Sequence, residues 1–221
     1  MLLKKNLYEK KIMKAIIKTQ EDERYEIGGE LHDNVCQVLA VSQLSLGMLK
    51  DSIEPSKMPL FDQCRNYLSL VLVEIRNLSH RLAPAFFDDS GLEEAINKLF
   101  ETFNFAEKFE IRHYFDEKIN SHEINLEIQL NLYRILQEQL RNIQKYSKAS
   151  VIEFDVLINN NKLKMRVSDN GIGFNVNTAK DGIGLANMKR RTELFSGKFA
   201  IESSPGNGCS ISVEIPLQET K

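Results

Sequence analysis

The sequence predicts an α+β protein: an antiparallel helical hairpin that dimerises into a four-helix bundle, followed by an α/β sandwich on an open sheet. Three observations predict it. Residues 5–50 contain no proline and carry apolar side chains at helical spacing. Seven of the eleven glycines fall between Gly171 and Gly208 and only three precede residue 90, so the two halves differ in texture. The second half interleaves helical stretches with short strands in antiparallel hairpin patterns, which suggests a sheet with helices on one face.

In the first helix Ile27, Leu31, Val35 and Val38 step by 4, 4 and 3, the spacing of one stripe. Gly28 and Gly29 each weaken that helix by about 1 kcal/mol relative to alanine, and nothing in the sequence accounts for them. Pro55 and Pro59 mark a turn. A second helix carries Phe61, Cys64, Leu68, Val71, Leu72, Ile75, Leu78 and Leu82, and Pro84 stops it. A lone hairpin cannot bury stripes this wide, so a second copy is expected to complete a four-helix bundle. The alternative is that the stripe packs on the second domain.

Gly91-Leu92-Glu93-Glu94-Ala95 opens a helix to about residue 107, and a strand follows at 109–115. Ser121 can cap a long helix from about 122 to 147. Strands at 151–158 and 162–168 flank Asn159-Asn160-Asn161, a hairpin turn by composition. A short helix near 184–196 precedes a last hairpin, 198–203 and 209–215, around Pro205-Gly206-Asn207-Gly208.

Composition narrows the function classes. The 221 residues allow one large or two small domains. Lys plus Arg total 29 and Asp plus Glu 31, a net charge of −2, which leaves no global field for gripping nucleic acid. Cys36, Cys64 and Cys209 lie far apart without a C-x-x-C pair, against a zinc site or disulfide scaffold and in keeping with a cytoplasmic location. No apolar run approaches the roughly 20 residues of a membrane span, and no signal-peptide core is seen. Residues 1–20 hold six lysines and one glutamate, which reads as a solvated helix face, with membrane-surface contact as the alternative.

Five stretches carry chemistry. In ELHDNVCQ, His32 lies about 100° around the helix from Leu31, at the flank of the stripe, and Asp33 and Gln37 share a face. A neutral imidazole is a usable nucleophile at neutral pH, and an adjacent carboxylate can orient it and take its proton. A surface pair without a task is the alternative. In QEQLRNIQKYS, Glu138 and Asn142 stand at i and i+4 and form a hard-oxygen pair suited to Mg²⁺. Lys145 could reach a phosphate; alone, the segment is equally a polar helix face. In SDNGIGF, Asp169 ends a strand where a carboxylate could accept from an exocyclic amine such as that of adenine. Gly171 and Gly173 let the backbone bend close to a ligand. In DGIGLANM, Gly182 and Gly184 precede a helix whose N-terminal amides suit phosphate. PGNGC is a hairpin turn by default.

In this order the five stretches resemble the cytoplasmic core of two-component sensor histidine kinases of the NarX/DesK type, from Glu23 to Leu217. The resemblance implies a dimerising hairpin joined to an ATP-binding sandwich of the Bergerat (GHKL) type. It divides the chain into a signalling stem (1–22), a dimerisation and phosphotransfer domain (23–88) and an ATP-binding catalytic domain (89–221). His32 is implied as the phosphorylated histidine, Asp33 as its base and Gln37 as the residue positioning water for dephosphorylation. EQLRNIQK is similar to the N box, implying Asn142 as a Mg²⁺ ligand, Glu138 beside it in catalysis and metal binding, and Lys145 near phosphate. SDNGIGF is similar to the G1 box, with Asp169 reading adenine beside Gly171 and Gly173, and GIGLANM to the G2 box, with Gly182, Gly184 and Leu185. Cys209 falls in the implied pocket where the family usually has threonine, and Tyr146-Ser147 stands for its His-Ala. Glycine is usual at Cys36, and small or basic residues at Gly28 and Gly29.

The implied function is ATP-dependent autophosphorylation of His32 and transfer to an aspartate on a response regulator with a receiver domain, together with phosphatase action on it. The implied partners are a second copy, that regulator and an upstream sensor protein or domain, with no direct nucleic-acid contact. A hinge is expected near Pro84–Gly91, and the loop between Phe174 and Gly182 reads as a short ATP lid. A kinase-inactive or phosphatase-biased scaffold of the same fold and a related GHKL ATPase or serine kinase are the alternatives. His80, before Arg81 rather than an acid, reads as structural, and neither His113 nor His122 has metal-ligand spacing.

Overall fold

A computed structural model describes residues 2–84, 91–104, 108–121, 124–176 and 182–217. The chain divides into two compact units, Met1–Ala85 and Phe86–Lys221. The expected hinge falls largely on 85–90, and most of the expected lid on 177–181; both lie outside the described residues, as does His122.

The first unit is helical. α1 (Leu2–Glu30) runs through a π-helical turn at Leu31–Val35 into α2 (Cys36–Met48). Short 3-10 turns at Lys50–Ser52 and Pro55–Lys57 reverse the chain into α3 (Met58–Leu82). Gln43 Nε2 donates to Ser69 Oγ at 2.8 Å and ties α2 to α3. Among the described residues no helix is long and apolar enough to cross a membrane.

The π-turn sets which side of the helix this hairpin buries. Gly28 and Cys36 are buried, whereas Ile27 and Val38 are exposed and Val35 is 37% exposed. Eight residues of undistorted α-helix overshoot two turns by about 80°. The wide turn absorbs the extra residue and returns position 36 to the face of position 28. Along α3 Phe61 and Leu72 are buried, whereas Cys64, Val71 and Leu78 are exposed in the single chain. Val38, Val41, Leu44 and Met48 on α2 are 61–83% exposed, a run of apolar side chains that this hairpin does not cover.

The second unit is a two-layer sandwich. α4 (Gly91–Phe103), β1 (Glu110–Phe115), α5 (Lys118–Ser121) and α6 (Leu126–Asn142) come first. A second π-turn, Ile143–Ser147, leads to β2 (Val151–Asn159) and β3 (Lys162–Asp169). α7 (Ile183–Leu194), β4 (Lys198–Ser203) and β5 (Cys209–Pro216) complete it. The long helix starts later than expected. Ser121 ends α5, and the cap is Asn125, whose side chain accepts from Glu127 N at 2.7 Å.

The sheet order is β1-β2-β3-β5-β4. β1 pairs with β2 in parallel, unlike the all-antiparallel pattern expected, and the other pairings are antiparallel. Asn160 and Asn161 take φ of 49° and 56°, the left-handed pair that a two-residue hairpin turn needs. Alternation along β2, β3 and β5 sends Ile152, Phe154, Val156, Leu163, Met165, Val167, Ile211, Val213 and Ile215 to one face. That face packs under Ala95, Ile96, Leu99 and Phe100 of α4 and Leu132, Ile135, Leu136 and Leu140 of α6. Each such side chain contributes about 1.5–3 kcal/mol on burial, which fixes α6 as the rigid platform of the site.

Candidate active site

In the first unit His32 sits inside the π-turn with its side chain 60% exposed. Its Nδ1 lies 2.9 Å from Oδ1 of Asp33. An ionised carboxylate there favours the proton on Nδ1 and leaves Nε2 with its lone pair facing solvent. Gln37 is exposed at the second position of α2. His80 is exposed in the last turn of α3.

In the second unit a cavity of about 720 Å³ opens beside α6, within the range of small-molecule sites. Glu138, Asn142, Lys145, Asp169, Gly173, Gly182, Gly184, Leu185 and Cys209 all line it, although they come from four separate sequence stretches. One helical turn separates Glu138 from Asn142, and Glu138 Oε2 accepts from Arg141 Nη1 at 3.1 Å. Gly182 and Gly184 bring the N-terminus of α7, whose first-turn amides have no partner within the helix, to the same space. Gly184 is there for room: a β-carbon on it would run into Oε1 of Glu138.

Asp169 closes the far end of β3 and is buried. Gly171 N donates to its Oδ1 at 2.9 Å. Burial pushes its carboxyl above the ordinary aspartate value, and the amides of Gly171 and Cys209 pull weakly the other way. Cys209 pairs with Asp169 across β3 and β5. Burial, and then the charge of Asp169, push its thiol up to about 11, so it stays a neutral thiol. Gln139 Nε2 lies 3.9 Å from its sulfur.

Gly171 departs from the expected role. It is absent from the cavity lining, and its close approach is to protein: a β-carbon there would sit 2.7 Å from Ser147 Cβ. Ile172 N donates to Ser147 O at 2.8 Å, which stitches the glycine segment to the end of the second π-turn. Gly173, with φ of 57°, has no room for a side chain against the 204–208 turn, and Gly206 N donates to Ile172 O at 2.6 Å. So PGNGC is more than a hairpin turn: it braces the cavity wall. Tyr146 and Ser147, which the resemblance placed in the pocket, line it too, whereas sequence reasoning missed Gln139, Ile172 and Phe174.

The residues present fit the groups implied. The acidic end beside glycine backbone suits an adenine amine, and the helix N-terminus and Lys145 suit phosphates. Glu138 and Asn142 give only two oxygen donors, which suits Mg²⁺ because that ion keeps several waters and binds substrate phosphate.

Comparison with known proteins adds to this. Residues 127–219 match the family of histidine kinase-, DNA gyrase B- and HSP90-like ATPases, and residues 23–85 match a histidine kinase family. The chain is 31% identical over 218 residues to the oxygen sensor histidine kinase NreB of Staphylococcus carnosus, covering 96% of this chain and 62% of that protein. Its fold is similar to the histidine kinase domain of a blue-light activated histidine kinase from Erythrobacter litoralis. There the TM-score is 0.51 at 12% identity, over 82% of this chain and 94% of that one. A longer chain of the same kinase gives 0.50 at 14% identity, over 85% and 60%. Residues 23–85 thus fall in a histidine kinase family and residues 127–219 in the ATPase family, the acceptor-type region preceding the ATPase-type region as in a NarX-like two-component sensor histidine kinase.

Proposed function

We propose that the chain is a protein histidine kinase that moves the γ-phosphoryl group of Mg-ATP to His32 and then to an aspartate on the receiver domain of a response regulator. One observation carries the reading above the others. Residues of four distant stretches line a single cavity, and an exposed imidazole elsewhere in the chain is paired with a carboxylate.

The transfer balances without a separate base at the attacking atom. Asp33 holds the proton on Nδ1, so Nε2 attacks phosphorus with its free lone pair. The bond from the γ-phosphorus to the bridging oxygen breaks, and ADP leaves with that electron pair. The ring becomes cationic, and Asp33 offsets that charge. Mg²⁺, when bound, neutralises charge on the phosphates; Asn142 and Glu138 are the side chains to hold it. Lys145 and the α7 N-terminus orient the phosphates, and Asp169 selects adenine. Gln37 positions the water that removes phosphate from the regulator.

The working divisions are a stem at 1–22, an acceptor domain at 23–88 and an ATP-binding domain at 89–221. The exposed run Val38, Val41, Leu44 and Met48 supports a homodimeric bundle. NreB is named an oxygen sensor, and this chain spans 62% of its length. The stimulus here is taken to arrive from an upstream sensor protein or domain. A second reading, a phosphatase-biased scaffold, is favoured by the neutral thiol of Cys209 and by Tyr146 in the lining.

Incubation with γ-labelled Mg-ATP separates the readings. A kinase acquires label that is lost in acid and kept in alkali. A scaffold binds nucleotide and acquires none. A serine kinase shows the opposite stability.

A further inference from the structure

Gly28 of α1 is seated directly on the end of α3. A β-carbon at position 28 would lie 2.6 Å from Ala83 Cβ and 2.9 Å from Ala83 N. Ser79, buried at 3% exposure, donates its hydroxyl to the Gly28 carbonyl at 2.8 Å. Nearly a turn earlier, Tyr25 Oη donates to the Pro84 carbonyl at 3.1 Å. These contacts fix α1 against α3 just before the π-turn. Just after it Cys36 is buried, which fixes the phase of α2. Between the two anchors the helix holds one residue more than two α-helical turns can take, and it is absorbed at Leu31–Val35, around His32.

A π-turn is a rare single-turn departure from the α-helix, and a helix free at either end can return to α geometry by rotating. One residue of register is about 100° of rotation. The wide turn therefore persists only while both flanks are held.

We propose that Ser79 is a positioning residue for His32: its hydrogen bond to the Gly28 carbonyl, beside the glycine's seat on Ala83, locks the helix in the wide-turn register that presents the imidazole. The assignment rests on the reading of His32 as the phosphoacceptor. It also gives Gly28 a role, since only a residue without a side chain lets the carbonyl come within reach of the serine.

The test uses the full chain with Ser79→Ala and Ser79→Thr in two readouts. One is backbone amide exchange over residues 31–36; the other is kcat and KM for ATP in His32 phosphorylation. Ser79→Ala is expected to speed exchange there by about fivefold, the factor of one net buried hydrogen bond, with residues 126–142 unchanged. It lowers kcat by about the same factor at unaltered KM, whereas Ser79→Thr keeps the hydroxyl and restores both. Gly28→Ala separates the helices by sterics and is expected to give the same exchange signature. Unchanged exchange in either alanine variant, or equal movement of KM and kcat, overturns the proposal. If the wild-type chain forms no phosphohistidine, the proposed kinase activity has failed, and exchange alone decides whether Ser79 pins the turn.

Discussion

Nδ1 of His32 and Oδ1 of Asp33 stand 2.9 Å apart on adjacent residues of one turn. The pair decides which nitrogen carries the proton. An asparagine at position 33 can donate to Nδ1 and so hold the wrong tautomer, with the lone pair at the wrong atom. Asp33→Asn is expected to slow phosphorylation by about 10²-fold or more while nucleotide affinity stays the same. Single-turnover labelling alongside equilibrium nucleotide binding checks both halves.

Gly184 and Glu138 share one small volume. Alanine at 184 pushes the Glu138 carboxylate aside, and that carboxylate is the end of a flexible chain, so the fold loses little. Alanine in the first turn of α7 even favours helix, by about 0.5–1 kcal/mol. Gly184→Ala is expected to melt at the same or a higher temperature than wild type and to lose activity about tenfold, through a misplaced carboxylate. Melting curves beside turnover measurements check this; a loss of stability together with activity would count against the assignment.

Asp169 carries a pH signature. Its folded pKa is raised by burial, so it favours folding fully only below the unfolded value of about 3.9. That contribution is lost as pH rises through the raised folded value, and at neutral pH the carboxylate is a cost. Asp169→Asn is therefore expected to melt higher than wild type at neutral pH without nucleotide, with the gap closing in acid. Nucleotide affinity should move the other way. Wild-type affinity falls as pH drops through the raised value, and the asparagine variant binds weakly throughout. Differential scanning calorimetry and nucleotide titrations across that pH range read the two trends.

Cys209 should be a poor nucleophile. A thiol at about 11 is roughly one-thousandth thiolate at about pH 8. Iodoacetamide is expected to alkylate the exposed Cys64 first and Cys209 much later, with saturating nucleotide slowing Cys209 further. Peptide mass mapping over time gives the order.

Much of the fold and of the site is legible in the amino-acid sequence. The helix of residues 58–82 and the strands around Asn160-Asn161 announce themselves because their periods are 3.6 and 2 and their breakers are proline and asparagine. The cavity residues Glu138, Asn142 and Asp169 stand out as polar groups at spacings a ligand can use. The π-turn at Leu31–Val35 does not, because a single absorbed residue leaves a helical pattern that still reads as 4, 4, 3. Nor does the true cap, Asn125: Ser121 offers the same chemistry, and only the packing of α6 selects between them. The parallel pairing of β1 with β2 is a long-range choice that a short, exposed edge strand does not encode locally. Gly171 sits in a pattern that suggests room for a ligand, whereas the neighbour that needs the room is Ser147.

The most direct measurement is site-resolved labelling of the full chain with γ-labelled Mg-ATP, followed by alkaline-stable peptide mapping. The expected result is one phosphohistidine, at His32, absent from His32→Gln and from Asn142→Ala, with the glutamine variant still binding nucleotide. Label on a serine, label at His80 or His113, or label that persists in His32→Gln would contradict the account.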